Sequence, residues 1–468
     1  MSAIIARLEA GLRSGFGSGL RSAGGVDGAG GARGAGAGDL FYSRGRTLQI
    51  KAFRDQIASL TESDEQWISA RAIDDRRMGT AYTERFDDES IERVARRARE
   101  NAAFSGTDDG NTLFAGDENR DLRGDYDGRR GRLDTVTIDD KKAMTLSAER
   151  AAKAHDPRIV NVPYCYYGET DGEHAIASTH GVSKAQQTST CACYVMVIAR
   201  DGEETQTGAE FAVAADPSML DTEAVARTAA TRAIEKLGAQ EIDSGTYRVV
   251  FDSRAASQLL GAFIASPGSP FFGETIQKGR SMLAGKLGTP IASQLFTVVD
   301  DPTRGLSPAF FDGDGVATSA LTLVDRGTFA AVVHTVYSAA REVGASTTGH
   351  AMRGRERVST GLHRPYLENG DGSLESLLSQ LGSGILITEV EGLHAGLNTV
   401  TGDFSLSAKG FLVEGGIRGV PVRNVVAAGN FFDLASNLAA KAGDLRDDNR
   451  GGFDSPSVLI EALSVSGK

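Results

Sequence analysis

The side chains able to hold a metal or act as a nucleophile are few and scattered. The seven histidines are His155, His174, His180, His334, His350, His363 and His394. No two have HExxH or HExxxH spacing, which would set two imidazoles on one helix face beside a water-activating carboxylate. His174 and His180 flank a turn, with Glu173 before the first, and read as solvent-facing turn residues. Cys191 and Cys193 alternate in a strand-like run, so both thiols should point to one face. Cys165 could join them from an adjacent strand, with His180 as a fourth ligand. Cys-x-Cys inside a strand is not zinc-knuckle spacing, however, and buried free thiols pack as small hydrophobes. Asp312-Gly-Asp314-Gly lacks the spaced ligands and distant glutamate of a calcium loop and reads as a turn. No G-x-S-x-G, P-loop or G-x-G-x-x-G stands in a strand–turn–helix context. Ser346 to His350, followed by Arg353 and Arg355, form a polar, basic loop, either solvated or holding a carboxylate or a partner's acid.

Composition narrows the classes. Lys and Arg total 50 against 62 Asp and Glu, a net charge of −12, so phosphate attraction gives no reason to expect nucleic-acid binding. No apolar run is long enough to cross a membrane as a helix. The first twelve residues lack the apolar core and cleavage site of a secretory signal, so the expected location is the cytoplasm. Three cysteines in 468 residues do not make a disulfide scaffold, and 57 Gly against 11 Pro favour many turns between strands.

The expected fold class is α+β: small N-terminal α/β units, then a large, mostly antiparallel β-domain. Residues 1–38, dense in Gly and Ala after a short amphipathic start, read as a flexible tail. Residues 39–134 form an N-terminal α+β domain with strands around Leu48–Phe53 and Trp67–Ala72. Its helix runs from Asp87 to Asn101, with Ile91, Val94, Ala95 and Ala98 on one face. Residues 135–240 form a middle α/β domain. Helices are expected at Lys142–His155 and Asp221–Leu237, and strands at Ile159–Tyr167, Glu173–Ser178, Thr190–Ile198 and Thr205–Val213. Residues 241–468 form the β-rich domain, beginning with strand Tyr247–Phe251 and the small-residue helix Ser253–Ala265. Hairpins are expected around Asp325-Arg326-Gly327 and Lys409-Gly410, and a helix at Phe431–Lys441 capped by Asn430 and stopped by Gly443.

Several runs of this last domain are together specific. Lys286-Leu-Gly, then Leu295-Phe-Thr-Val-Val-Asp-Asp-Pro302, Ser346-Thr-Thr-Gly349 and Gly402-Asp-Phe-Ser405 come in order. Gly410 through Glu414-Gly-Gly-Ile417, Pro421-Val, Ala428-Gly-Asn-Phe-Phe-Asp-Leu434 and Ser464-Val-Ser-Gly-Lys468 follow. In these the chain resembles the TldD/PmbA (modulator of DNA gyrase) family from about Asp39 onward. The resemblance implies a two-type assembly. TldD-type subunits carry HExxxH and a later Cys, bind zinc and cleave unfolded or extended peptides; PmbA/TldE-type subunits lack the zinc site and pair with them. Where HExxxH would fall, this chain has Leu260-Gly-Ala-Phe-Ile-Ala-Ser-Pro-Gly268, and no Cys follows Cys193. The resemblance therefore carries no catalytic residue, no metal ligand and no cofactor onto this sequence, and implies the PmbA/TldE branch.

The leading expectation is a non-catalytic subunit of such a metallopeptidase. It would be paired with an HExxxH-bearing TldD-like homologue, or homodimeric alone, and would hold extended peptide through strand edges. No nucleic acid or membrane is expected as a partner. The alternatives are a stand-alone hydrolase or metal-binding protein, using a cysteine-based or unrecognised site, and a self-associating scaffold. The expected partner or peptide surface comprises Asn430, Phe431, Phe432, Thr348 and His350.

Overall fold

The computed structural model describes residues 2–16, 36–115, 132–446 and 452–468. The N-terminal half repeats one motif, α-β-β-β-α. The first copy runs α1 (Ser2–Phe16), β1 (Ala37–Phe53), β2 (Gln56–Asp74), β3 (Arg77–Thr83) and α2 (Asp88–Ala102). The second runs α3 (Ile138–His155), β4 (Ile159–Ser178), β5 (Ser183–Asp201), β6 (Glu204–Ala214) and α4 (Thr222–Ile234). The two meanders join in one antiparallel sheet of order β3-β2-β1-β4-β5-β6, symmetric about the central pair. That pair runs in register from Asp39↔Ser178 to Lys51↔Tyr166. Caps suit the helix starts: the side chains of Asp87, Thr137 and Asp221 accept the Ser90, Asp140 and Ala224 N–H groups.

All four helices cover the same face of the sheet. Leu8, Leu12 and Phe16 pack with Ile91, Val94 and Ala98 over Leu40, Tyr42, Ile68 and Ala70. In the second copy Ala148, Ala152, Val225, Ala226, Ala229 and Ala233 pack over Val162, Cys165, Cys193 and Val195. Each edge strand uses one glycine to let its helix approach. A Cβ on Gly79 would overlap the Ala98 carbonyl and the Ala102 N, and one on Gly208 the Ala229 carbonyl and the Ala233 N.

This corrects the reading of residues 1–38 as a tail. Ser2–Phe16 is a docked helix whose Leu8 and Leu12 are fully buried, and Ala37 already belongs to β1; the remainder of that stretch, 17–35, lies outside the described residues. The N-terminal and middle units, moreover, share one sheet. The separate strands expected at Ile159–Tyr167 and Glu173–Ser178 are one strand, because β1 and β5 pair with it on both sides through Gly168 and Gly172. α3 starts at Ile138, ahead of Lys142, because Thr137 caps it.

The C-terminal half is the β-rich part. In chain order it has β7 (Gly245–Phe251), α5 (Ser253–Ile264), α6 (Gly273–Gln277), β8 (Val298–Asp300), β9 (Leu321–Asp325), β10 (Thr328–Phe329) and α7 (Val336–Ala340). Then come β11 (Ala351–Arg353), β12 (Val358–Thr360), β13 (Pro365–Leu367), α8 (Leu374–Leu381), β14 (Gly384–Glu391), β15 (Asp403–Glu414) and β16 (Ile417–Asn430). α9 (Phe431–Ser436), β17 (Leu438–Lys441) and β18 (Val458–Ser466) complete it. The main sheet has order β16-β15-β14-β7-β18-β17, and its ladder closes where β16 also pairs with β18. Only β7–β14 is parallel within it. α5 packs Leu259, Leu260, Phe263 and Ile264 on one face, against Val249, Phe251, Ile387 and Phe404. α8 packs Leu377, Leu378 and Leu381 on the other, against Val250, Leu386 and Phe411.

Two expected elements differ. No hairpin turns at Lys409-Gly410: β15 runs straight through, bulged there, and the chain reverses at Gly415-Gly416, both at positive φ. Gly410 is glycine because a Cβ would strike the Leu386 carbonyl. Asn430 does cap a helix, accepting the Phe432 N–H, but that helix ends at Ser436 rather than at Gly443. Leu438–Lys441 is instead strand, recruited by pairing with β18.

Candidate functional site

Beside α5 lies a cavity of about 490 Å³ where the second N-terminal copy meets the β-rich half. β5 and β6 supply Tyr194, Glu210 and Phe211, α4 supplies Arg232, and the cap and first half of α5 supply Asp252, Ser253, Arg254, Ser257 and Gln258. Asp444, Arg446 and Asp454 to Ser457 close the far side, Pro456 excepted. Asp252 caps α5 by accepting the Ala255 N–H at 2.8 Å. Burial pushes its carboxyl up to about 6, against the pull of that N–H and of Arg232, Arg254 and Arg446. The Gln258 side-chain oxygen is buried without a hydrogen-bond partner. The site is polar, with one carboxyl able to change protonation near neutral pH.

Further along α5 comes the stretch where the zinc motif would fall, Leu260 to Gly268, and the chain leaves the helix through Ala265 and Ser266. The Ser266 hydroxyl is buried and unpartnered. Zinc takes imidazole, thiolate or carboxylate ligands, and this segment offers none. Among the described residues no three His, Cys, Asp or Glu side chains are grouped to hold an ion. The residues do not fit a zinc ion.

The residues of the expected partner surface divide between interior and surface. His350 is fully buried, its Nε2 2.8 Å from Asp300 Oδ2 and its Nδ1 2.9 Å from Thr348 Oγ1. Thr348 Oγ1 accepts the His334 N–H and lies 3.0 Å from the His334 carbonyl. Asp300 also accepts the His363 and Arg364 N–H groups, and His363 Nε2 bonds the Gly349 carbonyl. The Val-Val-Asp300-Asp-Pro and Ser-Thr-Thr-Gly349 runs thus meet in one closed network. A hydroxyl, an imidazole and a carboxylate stand in line, but none of them lines the cavity beside α5. Phe431 is core, ringed by Phe263, Phe296 and Phe432. Phe431 and His350 therefore cannot present a surface; Asn430, Phe432 and Thr348 are each partly exposed.

The thiols are no metal site either. β4 and β5 are adjacent and Cys165 and Cys193 share a core, but each thiol is buried. Cys165 and Cys191 donate to the Thr145 and Ala214 carbonyls. Burial, then Glu149 beside Cys165 and Glu169 beside Cys191, pushes these two up to about 12. His180 stands at the β4–β5 turn, eleven residues along β5 from Cys191, on the order of 35 Å away.

Of the two readings of the basic loop, Arg353 fits the one that holds a carboxylate. With Asp39, Arg71 and Asp314 it forms a buried clasp between the first sheet and the β-rich half. Arg71 binds Asp39 through Nε and Nη2 and Asp314 through Nη1 at 2.6 Å, while Arg353 Nη2 donates to Asp39 Oδ1 at 2.9 Å. Burial would raise Asp39, yet Arg353 and Arg71 hold it below the usual carboxylate range. Asp312, two residues before Asp314 of this clasp, is a turn anchor as the spacing suggested: it accepts the Asp314, Val316 and Ala351 N–H groups. The Asp252 cavity and this clasp both depend on contacts between segments far apart in sequence, which no local motif signals.

Comparison with known proteins agrees with this architecture. The PmbA/TldA metallopeptidase domain 1, central domain and C-terminal domain match residues 38–102, 131–237 and 244–467. The metalloprotease PmbA homolog of Haemophilus influenzae is 28% identical over 336 residues, 71% of each chain. The metalloprotease PmbA of Escherichia coli O157:H7 is 26% identical over the same length and share. A Thermotoga maritima crystal structure, named as a candidate modulator of a DNA gyrase, superposes with a TM-score of 0.83 at 28% identity, covering 92% of this chain and 96% of that one. TldE from Thermococcus kodakarensis, at 22% identity, shares the fold with a TM-score of 0.79 over 92% of this chain and 97% of its own. With all three domains matched in order, the chain belongs to the TldD/PmbA family of metallopeptidase-related proteins.

Proposed function

We propose that this chain is the zinc-less subunit of a TldD/TldE-like metallopeptidase and helps to hold unfolded or extended peptides for a partner's zinc. The observation that carries this reading is α5. The helix is well packed, yet the stretch where the zinc motif would fall, Leu260 to Gly268, has no ligating side chain. A fold kept whole around a position without ligands is explained most simply if its surfaces serve another subunit's chemistry. The polar cavity beside α5 supports a peptide-holding role, since its walls offer hydrogen bonds that a main chain can answer.

Mixing the full chain with an HExxxH-bearing homologue in the presence of zinc, then size exclusion and a peptide-cleavage assay, tests both halves. A stable hetero-oligomer that cleaves unfolded peptide is expected, with no cleavage by this chain alone. Chelator-sensitive cleavage by this chain alone would overturn the reading, and separate elution of the two proteins would remove the partner role.

A further inference from the structure

The cavity beside α5 contains groups that its own walls leave unanswered. Arg254 lines it, donates to the Ala209 carbonyl at 2.8 Å, and forms no ion pair with any described carboxylate. The Gln258 oxygen is buried with no donor. Arg446 adds a second guanidinium to the lining, while two of the other charged walls are engaged. Arg232 pairs with Glu210 at 2.7 Å, and Asp444 accepts the Ser457 N–H and hydroxyl, both at 2.7 Å. Asp252, raised towards neutrality by burial, can be protonated and need not repel an anion.

Strand addition is blocked at this point. The outward carbonyl of Ala209 is taken by Arg232 and Arg254, at 3.0 and 2.8 Å, and the outward N–H of Phe211 by Glu210 at 2.9 Å. An arriving peptide cannot extend β6 here, because the edge is capped by the chain's own side chains. What stays open is a guanidinium suited to a carboxylate and a wall made by Tyr194, Phe211 and Leu374, with an unanswered acceptor for one N–H, the Gln258 oxygen, buried beside them. A carboxylate, a neighbouring amide N–H and a side chain occur together at one place in a peptide, its last residue.

We propose that this cavity binds the C-terminal residue of an extended peptide, with the carboxylate on Arg254, the last amide N–H on Gln258 and the side chain against Tyr194 and Phe211. The proposal rests on the peptide-holding reading above, and its test is separate from that reading because it needs neither partner nor cleavage. Titration calorimetry on the full chain would compare N-acetyl-Ala-Ala-Phe bearing a free carboxylate with the same peptide amidated at its C-terminus. The free acid should bind at least about tenfold more tightly. Arg254→Gln should abolish that preference, and Arg254→Lys, which keeps the charge but loses the fork, should retain part of it. Gln258→Leu should weaken both peptides and leave the preference intact, with thermal melts checking that each variant is folded. Equal binding of acid and amide, no binding of either, or an undiminished preference in folded Arg254→Gln would overturn the proposal. Failure to pair with a homologue, by contrast, would leave it standing.

Discussion

Asp252 gives the sharpest test of the electrostatics at the cavity, because its two roles can be separated. Its side chain caps α5, which asparagine does equally well, and its carboxyl is raised from 3.8 to about 6 by burial, which asparagine removes. A folded-state pKa above the unfolded value means that the folded protein binds the proton more tightly. This group's contribution to stability is therefore greatest below about pH 4, falls between about 4 and 6, and stays low above 6. The shift of about two units corresponds to at most ~3 kcal/mol at 1.36 kcal/mol per unit; the open side of the cavity reduces this to about 1–2 kcal/mol. Asp252→Asn should accordingly match the wild type near pH 4 and exceed it by about 1–2 kcal/mol at pH 8. Asp252→Ala, which also loses the cap, should fall about 1 kcal/mol below Asp252→Asn at every pH. Urea unfolding midpoints from pH 4 to 8 for the three proteins measure this. An Asn variant less stable than wild type at pH 8, or a difference independent of pH, would show that the carboxylate is satisfied by its arginine neighbours and that burial does not dominate.

Two further outcomes follow from the packing. Leu12→Ala, at a fully buried position under α2, should cost about 2–4 kcal/mol, and removing residues 1–16 should lower the melting temperature markedly; an unchanged melt would mean that α1 does not dock in solution. Arg353→Met leaves Asp39 buried with one of its two cations gone and should cost about 3–5 kcal/mol, whereas Arg7→Ala, at the exposed Arg7–Asp88 pair, should cost under about 1 kcal/mol. Similar costs in urea unfolding would refute the clasp as a structural joint.

What the sequence revealed depended on how local the determining contact was. α2, α4 and α5 were legible because cap and apolar stripe lie within each helix. The Asp325-Arg326-Gly327 hairpin was legible because its turn needs positive φ at Arg326 and Gly327. β17 was not, since Leu438–Lys441 becomes strand only by pairing with β18, some twenty residues on. The same holds for His350 and Arg353. A polar, basic run looks solvated until the acids that bury it are known, and Asp300 and Asp39 lie far away in the chain. The lack of any HExxxH spacing, by contrast, is a property of the sequence itself, because that motif is a spacing within one helix.

The most instructive miss is α1, and the fold's repetition explains it. Read alone, Ser2–Phe16 is a short amphipathic stretch before a glycine-rich run, with too little apolar surface to fold by itself. The second copy shows what a meander of this type requires. There α3 and α4 lie side by side on β4–β6 and bury Ala148, Ala152, Ala229 and Ala233 between them and the sheet. In the first copy α2 covers only part of Leu40, Tyr42, Ile68 and Ala70, so a second helix is needed where α3 stands in its counterpart. Gly11 and Gly15 let α1 take that place, because a Cβ on either would strike Ile91 or Ala95 of α2. The glycines that suggested a flexible tail are, at these two positions, what allow the helices to touch. Chemistry has diverged between the copies in the same way. The face of the first copy that meets the β-rich half carries the Asp39–Arg71 clasp, while the second copy meets it through Tyr194, Glu210 and Phe211 at the cavity beside α5. One copy fastens the two halves together, and the other leaves a polar space open between them.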